Sequence, residues 1–323
     1  MERFLELQID YLLILQNFRE ITHGIFDNLF GFITQFGEYL FLLWVVALIY
    51  WMIDKKCGLY MLFTFYFSLM INQFLKVTAC IYRPWILDSR IQPVPSAIKM
   101  ATGYSFPSGH TAGATSIFGS LAVWLWKNKL ARYLSILAIL LVGFSRNYLG
   151  VHTPQDVVVS LILGAFVLFG NLKLLKWLEK NKNNDIVLFA IVLIASLLLV
   201  FYTELKTYPV DYLNGQILVN PESMKFESLP KAGFVLGMFF GWIIENRTVN
   251  FDTKNFSMPA KIFLYLIGAL GIYLICSHLI SFLIEFFGRN IGGTSGFFIL
   301  GSFISLLYPL VLKIYANIRY KSL

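Results

Sequence analysis

His152 and Asp156 stand four residues apart in the run SRNYLGVHTPQD, residues 145–156. At that spacing a carboxylate can accept a hydrogen bond from one imidazole nitrogen and leave the other free and basic, as an orienting acid does for a nucleophilic histidine. Thr153, Pro154 and Asp156 also read as the N-cap, first and third residues of a helix, so Asp156 could cap and orient at once. A second run, YSFPSGHTAGATS, puts Pro107 where it suits a first helical turn and Ser108, Gly109 and His110 at the mouth of a helix. Free N–H groups with the helix dipole behind them form an anion site there, and Gly109 lets backbone approach a ligand closely. In the third run, KVTACIYRP, Lys76 and Arg83 are seven apart, two helical turns, which predicts one shared face before Pro84 ends the helix. Lys76, Arg83 and Arg146 make a cationic cage that demands an anion. Arginine meets phosphate through two parallel hydrogen bonds, whereas lysine acts as a point charge. No run of carboxylates suits Mg²⁺ or Zn²⁺, so the expectation is metal-independent phosphoryl transfer by a histidine nucleophile, with no cofactor.

The rest of the chain must hold these groups in a membrane. Of its 323 residues, 58% are hydrophobic and 14% charged, with mean hydropathy +0.69; an average soluble domain is about 25% charged. A compact globule could not hide that much apolar surface, which excludes a soluble enzyme, a disordered protein and a nucleic-acid binder. The net charge of +8 belongs to cytoplasmic loops rather than to a DNA contact. Cys57, Cys80 and Cys276 are scattered, which argues against a disulfide framework or a zinc site.

A span takes roughly 20 mostly apolar residues, or somewhat fewer with anchoring flanks. Nine segments qualify: 38–53, 59–77, 109–126, 130–148, 156–175, 186–203, 232–244, 262–286 and 296–314. The expected fold is all-α, a polytopic membrane helix bundle of nine spans. Residues 2–22, with Glu6 and Asp10 inside an apolar run, read as an amphipathic helix lying at the interface and not as a signal peptide. Alternate loops carry fifteen and nine Lys and Arg residues, and the richer set is taken as cytoplasmic. The C-terminus is then inside, and loops 78–108, 149–155, 204–231 and 287–295 face outward across the cell membrane. All three polar runs fall on that outer face, and ionisable groups at membrane depth point to function.

The elements K-x6-R-P at Lys76–Pro84, P-S-G-H at Pro107–His110 and S-R-x5-H-x3-D at Ser145–Asp156 resemble the three-part signature of the type 2 phosphatidic acid phosphatase and haloperoxidase superfamily, in order and complete. The resemblance covers residues 25–180. It implies a lipid-phosphatase-like helical core with its site at the extracytoplasmic mouth. It also implies that His152 attacks phosphorus to form a phosphohistidine, oriented by Asp156. His110 would protonate the leaving group and then activate water, while Lys76, Arg83, Ser108, Gly109 and Arg146 hold the phosphoryl oxygens. The substrate would be a membrane lipid phosphate or diphosphate. The soluble haloperoxidase branch fits a membrane-embedded chain poorly. A lipid phosphotransferase would need the same residues, because water is only one acceptor. A phospholipid transporter or flippase, or a relative that binds without turnover, leaves the His and Asp pairing unexplained.

Residues 1–182 are thus expected to form the catalytic core with its interfacial helix, and 183–323 an additional transmembrane region. In the latter, Gly233, Gly237 and Gly241 recur every fourth residue, a face suited to close helix packing within the chain or to a homodimer.

Overall fold

The structure, a computed structural model, describes residues 2–99, 101–213, 215–254 and 256–321; the C-terminal Ser322 and Leu323, expected inside the cell, lie outside the described residues. Helices α1 (Glu2–Ile21), α2 (Asp27–Gln35) and α3 (Tyr39–Leu48) come first, and a π turn, Ile49–Ile53, prolongs α3. The long α4 (Lys55–Ala79) is followed by two one-turn helices, α5 (Pro84–Leu87) and α6 (Pro95–Ile98). Next come α7 (Gly109–Trp124), α8 (Lys129–Tyr148), α9 (Pro154–Lys180) and α10 (Asn184–Leu205). A small antiparallel hairpin, β1 (Tyr212–Leu213) and β2 (Gln216–Ile217), pairs Tyr212 with Ile217. Helices α11 (Pro221–Ile244), α12 (Met258–Leu274), α13 (Ile280–Phe287), α14 (Arg289–Ser302) and α15 (Tyr308–Lys321) complete the chain. Helix is the expected answer to lipid, where each backbone polar group must find its partner inside the protein.

Among the described residues six helical stretches are long and apolar enough to cross a membrane, and the pair Asp27–Gln35 and Tyr39–Ile53, bent by 48°, makes a seventh. The nine expected from sequence are not reached. Helix α7 has only 16 residues, and the first turns of α11 carry Glu222, Lys225, Glu227 and Lys231, which dilute its apolar run. On α9 and α12, Ile162, Phe166, Phe169, Phe263 and Leu266 are exposed, the outward face of helices whose solvent is hydrocarbon.

Packing groups the chain discontinuously into two compact units, residues 1–43, 63–171 and 207–223 in one and 44–62, 172–206 and 224–323 in the other. In the first, small residues let helices close on one another: Gly164 of α9 meets Thr115 of α7, and Gly143 of α8 meets Val157 and Thr111. A buried cluster of Val94, Ala97, Ala101, Tyr148, Leu149 and Val151 pins the loop between α5 and α7 to the end of α8. Helix α1 docks through Gln8, Ile9 and Leu12, which are buried. Ile9 and Leu12 pack with Ile91, and Gln8 exchanges hydrogen bonds with Gln155. Phe4, Leu7, Ile14 and Phe18 on its other side are exposed.

In the second unit, a Cβ on Gly233, Gly237 or Gly241 would run into Thr294, Phe298 or Ser305 respectively, and Ser302 Oγ donates to the Gly237 carbonyl at 3.0 Å. The small-residue face offered for a homodimer is therefore filled by the chain itself. Glu245, fully buried, accepts from Lys55 Nζ at 2.7 Å and from the Phe251 amide at 2.9 Å.

Candidate active site

Lys76 and Arg83 reach the same pocket, but not along one helix face. Helix α4 ends at Ala79, and Cys80 adopts φ 50, a left-handed conformation that interrupts the helix before Arg83. Arg83 then serves as the extended N-cap of α5, with Pro84 in its first turn. Its guanidinium donates from Nε to the Gly103 carbonyl at 3.1 Å, from Nη2 to Thr102 at 2.8 Å and from Nη1 to Val151 at 3.0 Å. Lys76, in the last turn of α4, donates to the Tyr104 carbonyl at 2.7 Å. Both cations are buried.

Ser108 is the N-cap of α7, so Pro107 precedes the cap and does not sit in the first turn. The Ser108 hydroxyl accepts from Thr111 Oγ1 at 2.9 Å. Its amide donates to the Asp156 carbonyl at 3.2 Å, and Ser160 Oγ donates to its carbonyl at 3.0 Å. These bonds tie the start of α7 to the first turns of α9. At Gly109 a Cβ would come within 3.1 Å of the Tyr39 hydroxyl, so a side chain in this turn requires Tyr39 to give way.

Gly150, at φ +72, makes the tight turn between α8 and α9 that delivers His152. The capping and orienting roles considered for Asp156 coexist. Its Oδ2 accepts from the Thr153 amide at 3.0 Å and lies 3.1 Å from His152 Nδ1. Ser105 Oγ donates to the same oxygen at 2.5 Å. On the ring's other side, Arg83 Nη1 stands 2.9 Å from Nε2. Asn147 Nδ2 donates to the His152 carbonyl at 2.9 Å and steadies the backbone. Burial first, and then the charges of Arg83, Arg146 and Lys76, hold the His152 ring well below the ordinary histidine range.

Arg146, in the last turn of α8, is 1% exposed. Its Nη1 donates to Thr34 Oγ1 at 2.6 Å, and its Nε has no hydrogen-bond partner among the described residues. A buried guanidinium with a donor to spare is suited to an arriving anion. His110, on the first turn of α7, lies 2.7 Å through Nε2 from Glu38 Oε1. The structure thus brings Lys76, Arg83, His110, Arg146 and His152 close enough to act on one another electrostatically. Asp156 contacts His152, Ser108 is tied to the Asp156 backbone, and Gly109 adjoins His110 in the chain. Three residues of the pocket escaped the sequence reading: Thr34, Glu38 and Ser105. Ser105 belongs to the run YSFPSGHTAGATS, two residues before Pro107, and Glu38 begins the first apolar segment, a charge placed where only function or capping would keep it.

Residues 58–180 match the PAP2 superfamily, and residues 230–316 match the transmembrane extension of PAP2 superfamily phosphatases. Undecaprenyl-diphosphatase BcrC of Bacillus subtilis (strain 168) is 30% identical over 151 residues, 46% of this chain and 74% of the relative. The chain belongs to the PAP2 superfamily. Another relative is phosphatidylglycerophosphatase B of the same bacterium, 30% identical over 149 residues, covering 42% of this chain and 69% of that one. The undecaprenyl-diphosphatase of Sulfolobus acidocaldarius is 27% identical over 148 residues, 44% of this chain and 68% of its own length. No solved structure matches the chain. The PAP2 match contains all of the site residues expected from the motifs, while Thr34 and Glu38 precede it.

Proposed function

We propose that this protein hydrolyses a membrane lipid phosphate or diphosphate through a phosphohistidine on His152, without a metal, at the extracytoplasmic face. The observation that carries the reading is the clamp on His152. A guanidinium can only donate hydrogen bonds, so Arg83 beside Nε2 assigns that nitrogen a lone pair and leaves the ring proton on Nδ1, facing Asp156. An imidazole in that state is a nucleophile aimed into a cationic pocket.

In the first step the Nε2 lone pair forms a bond to phosphorus as the bond to the lipid oxygen breaks, and His110 gives its proton to that oxygen. In the second, water attacks phosphorus, its proton passes to His110, and the P–N bond breaks to release inorganic phosphate. Arg83 leaves Nε2 for a phosphoryl oxygen when substrate arrives. Arg146 offers its spare donor, Lys76 its charge, and Ser108 and the Gly109 amide the start of the α7 dipole. Positioning and charge stabilisation of this kind supply most of the catalysis of phosphoryl transfer. The outward placement rests on the excess of Lys and Arg in the opposite loops.

The names of the relatives make undecaprenyl diphosphate and phosphatidylglycerophosphate the first substrates to try. The test is release of inorganic phosphate by the purified full chain in detergent with EDTA present. Turnover by the unaltered protein is expected, with loss of at least ~10³-fold in His152→Ala. Turnover retained in that variant, or none in the unaltered protein, would refute the reading.

A further inference from the structure

Glu38 is the second carboxylate of the pocket, and it comes from outside the stretch that matches the superfamily. It lies in the break between α2 and α3, where Gly37 lets backbone close on the histidine: a Cβ there would meet His110 Cβ and Val142 Cγ1, each at 2.9 Å. Thr34, just before the break, receives Arg146 Nη1, and Tyr39, just after it, sets its hydroxyl against Gly109. Segment 34–39 therefore forms one wall of the site and carries Glu38 to within 2.7 Å of His110 Nε2. The pair differs from its counterpart in one respect. The side chains of His152 and Asp156 are 3% and 2% exposed, but those of His110 and Glu38 are 14% and 28% exposed, so this pair is the more open of the two.

The charged groups around His110 are Arg146 from α8, Arg83 from the turn after α4, His152 from the turn before α9, and Glu38. Burial first, and then the two guanidiniums, oppose a proton on His110, and Glu38 favours one. We propose that Glu38 is a positioning residue that fixes the His110 ring through Nε2 and keeps the leaving-group proton on it, as Asp156 does for the opposite task at His152. With Nε2 held, Nδ1 is the nitrogen that passes its proton to the departing oxygen and recovers one from water. This rests on the hydrolase reading above.

The test compares Glu38→Gln and Glu38→Asp with the unaltered full chain in detergent, using a dialkylglycerol phosphate and p-nitrophenyl phosphate, whose leaving group needs no proton. The quantity is kcat/KM, which reports the transfer to His152. Glu38→Gln should lower it about 100-fold on the lipid phosphate but less than about 5-fold on the aryl phosphate, the range expected when general-acid assistance is lost. The alkaline limb of its pH profile should fall by about 1 unit, and Glu38→Asp should restore much of both. Equal losses on the two substrates, the mark of a merely structural part, overturn the proposal, as does no loss at all. An unaltered protein that releases phosphate from neither substrate overturns the hydrolase reading itself.

Discussion

Arg83 Nη1 and His152 Nε2 lie 2.9 Å apart, while the opposite nitrogen of the same ring faces Asp156 at 3.1 Å. In the proposed mechanism a cation on one edge and a carboxylate on the other set the tautomer without any help from substrate. The chain has four histidines, few enough for ring-nitrogen NMR in micelles, with His152→Ala to assign the signal. Because burial and the three neighbouring cations lower its proton affinity, His152 should remain neutral as pH falls through ~6.5, the ordinary histidine value. The expected spectrum shows the Nδ1–H tautomer at pH 6. A ring that charges at the ordinary value, or carries its proton on Nε2, contradicts the clamp.

Asp156 accepts from both Thr153 and Ser105 as well as facing the ring. Asp156→Asn replaces an acceptor by a group that can donate, and should turn the ring to the wrong tautomer with a loss in kcat of about 10³-fold or more. Ser105→Ala removes one charge-assisted bond and should cost only about 10-fold, in line with a bond of roughly 1.5 kcal/mol. Similar losses in the two variants would mean that Ser105 does more than support the carboxylate.

What could be read from the chain follows from which interactions are local. The His152 and Asp156 pairing was legible because one turn of helix and a capping box bring those residues together whatever the rest of the fold does. Lys76 and Arg83 were expected on one helix face, and they share the pocket for a different reason: the left-handed Cys80 ends α4 early, and Arg83 comes from the extended segment that follows. Spacing alone cannot report such a break at a non-glycine residue. Glu38 and Thr34 were missed because they approach His110 and Arg146 from 72 and 112 residues away, Glu38 at the start of the first apolar segment and Thr34 before it. The span count suffered from the opposite problem, since an apolar stretch such as α7 satisfies a composition rule while remaining short for a bilayer.

Arg146 carries a buried Nε that has no hydrogen-bond partner among the described residues. Arg146→Lys keeps the charge but loses the fork that grips two oxygens, so inhibition by orthovanadate, which occupies a phosphate cage, should weaken by about 30-fold, within the range for breaking a buried charged contact. Titration of turnover with vanadate measures it. An unchanged inhibition constant would place Arg146 in packing rather than in anion binding.

Gly237 tests the second unit separately from the chemistry. A Cβ there collides with the backbone of Phe298, so Gly237→Val should destabilise by about 1–3 kcal/mol through overpacking, seen as a lower Tm in detergent. Gly288→Ala offers the contrast, because no atom lies within 4 Å of its added Cβ and any cost there comes from its φ of +81 alone. An unaltered Tm in Gly237→Val would mean that α11 and α14 do not pack as described.

Rapid quenching of the full chain with a radiolabelled lipid phosphate, in EDTA, addresses the nucleophile itself. Label should accumulate on the peptide holding His152 as an acid-labile, alkali-stable phosphoryl group, and should vanish from His152→Ala. Phosphate released with no labelled protein at any time, or label that persists in that variant, would show that His152 does not attack phosphorus.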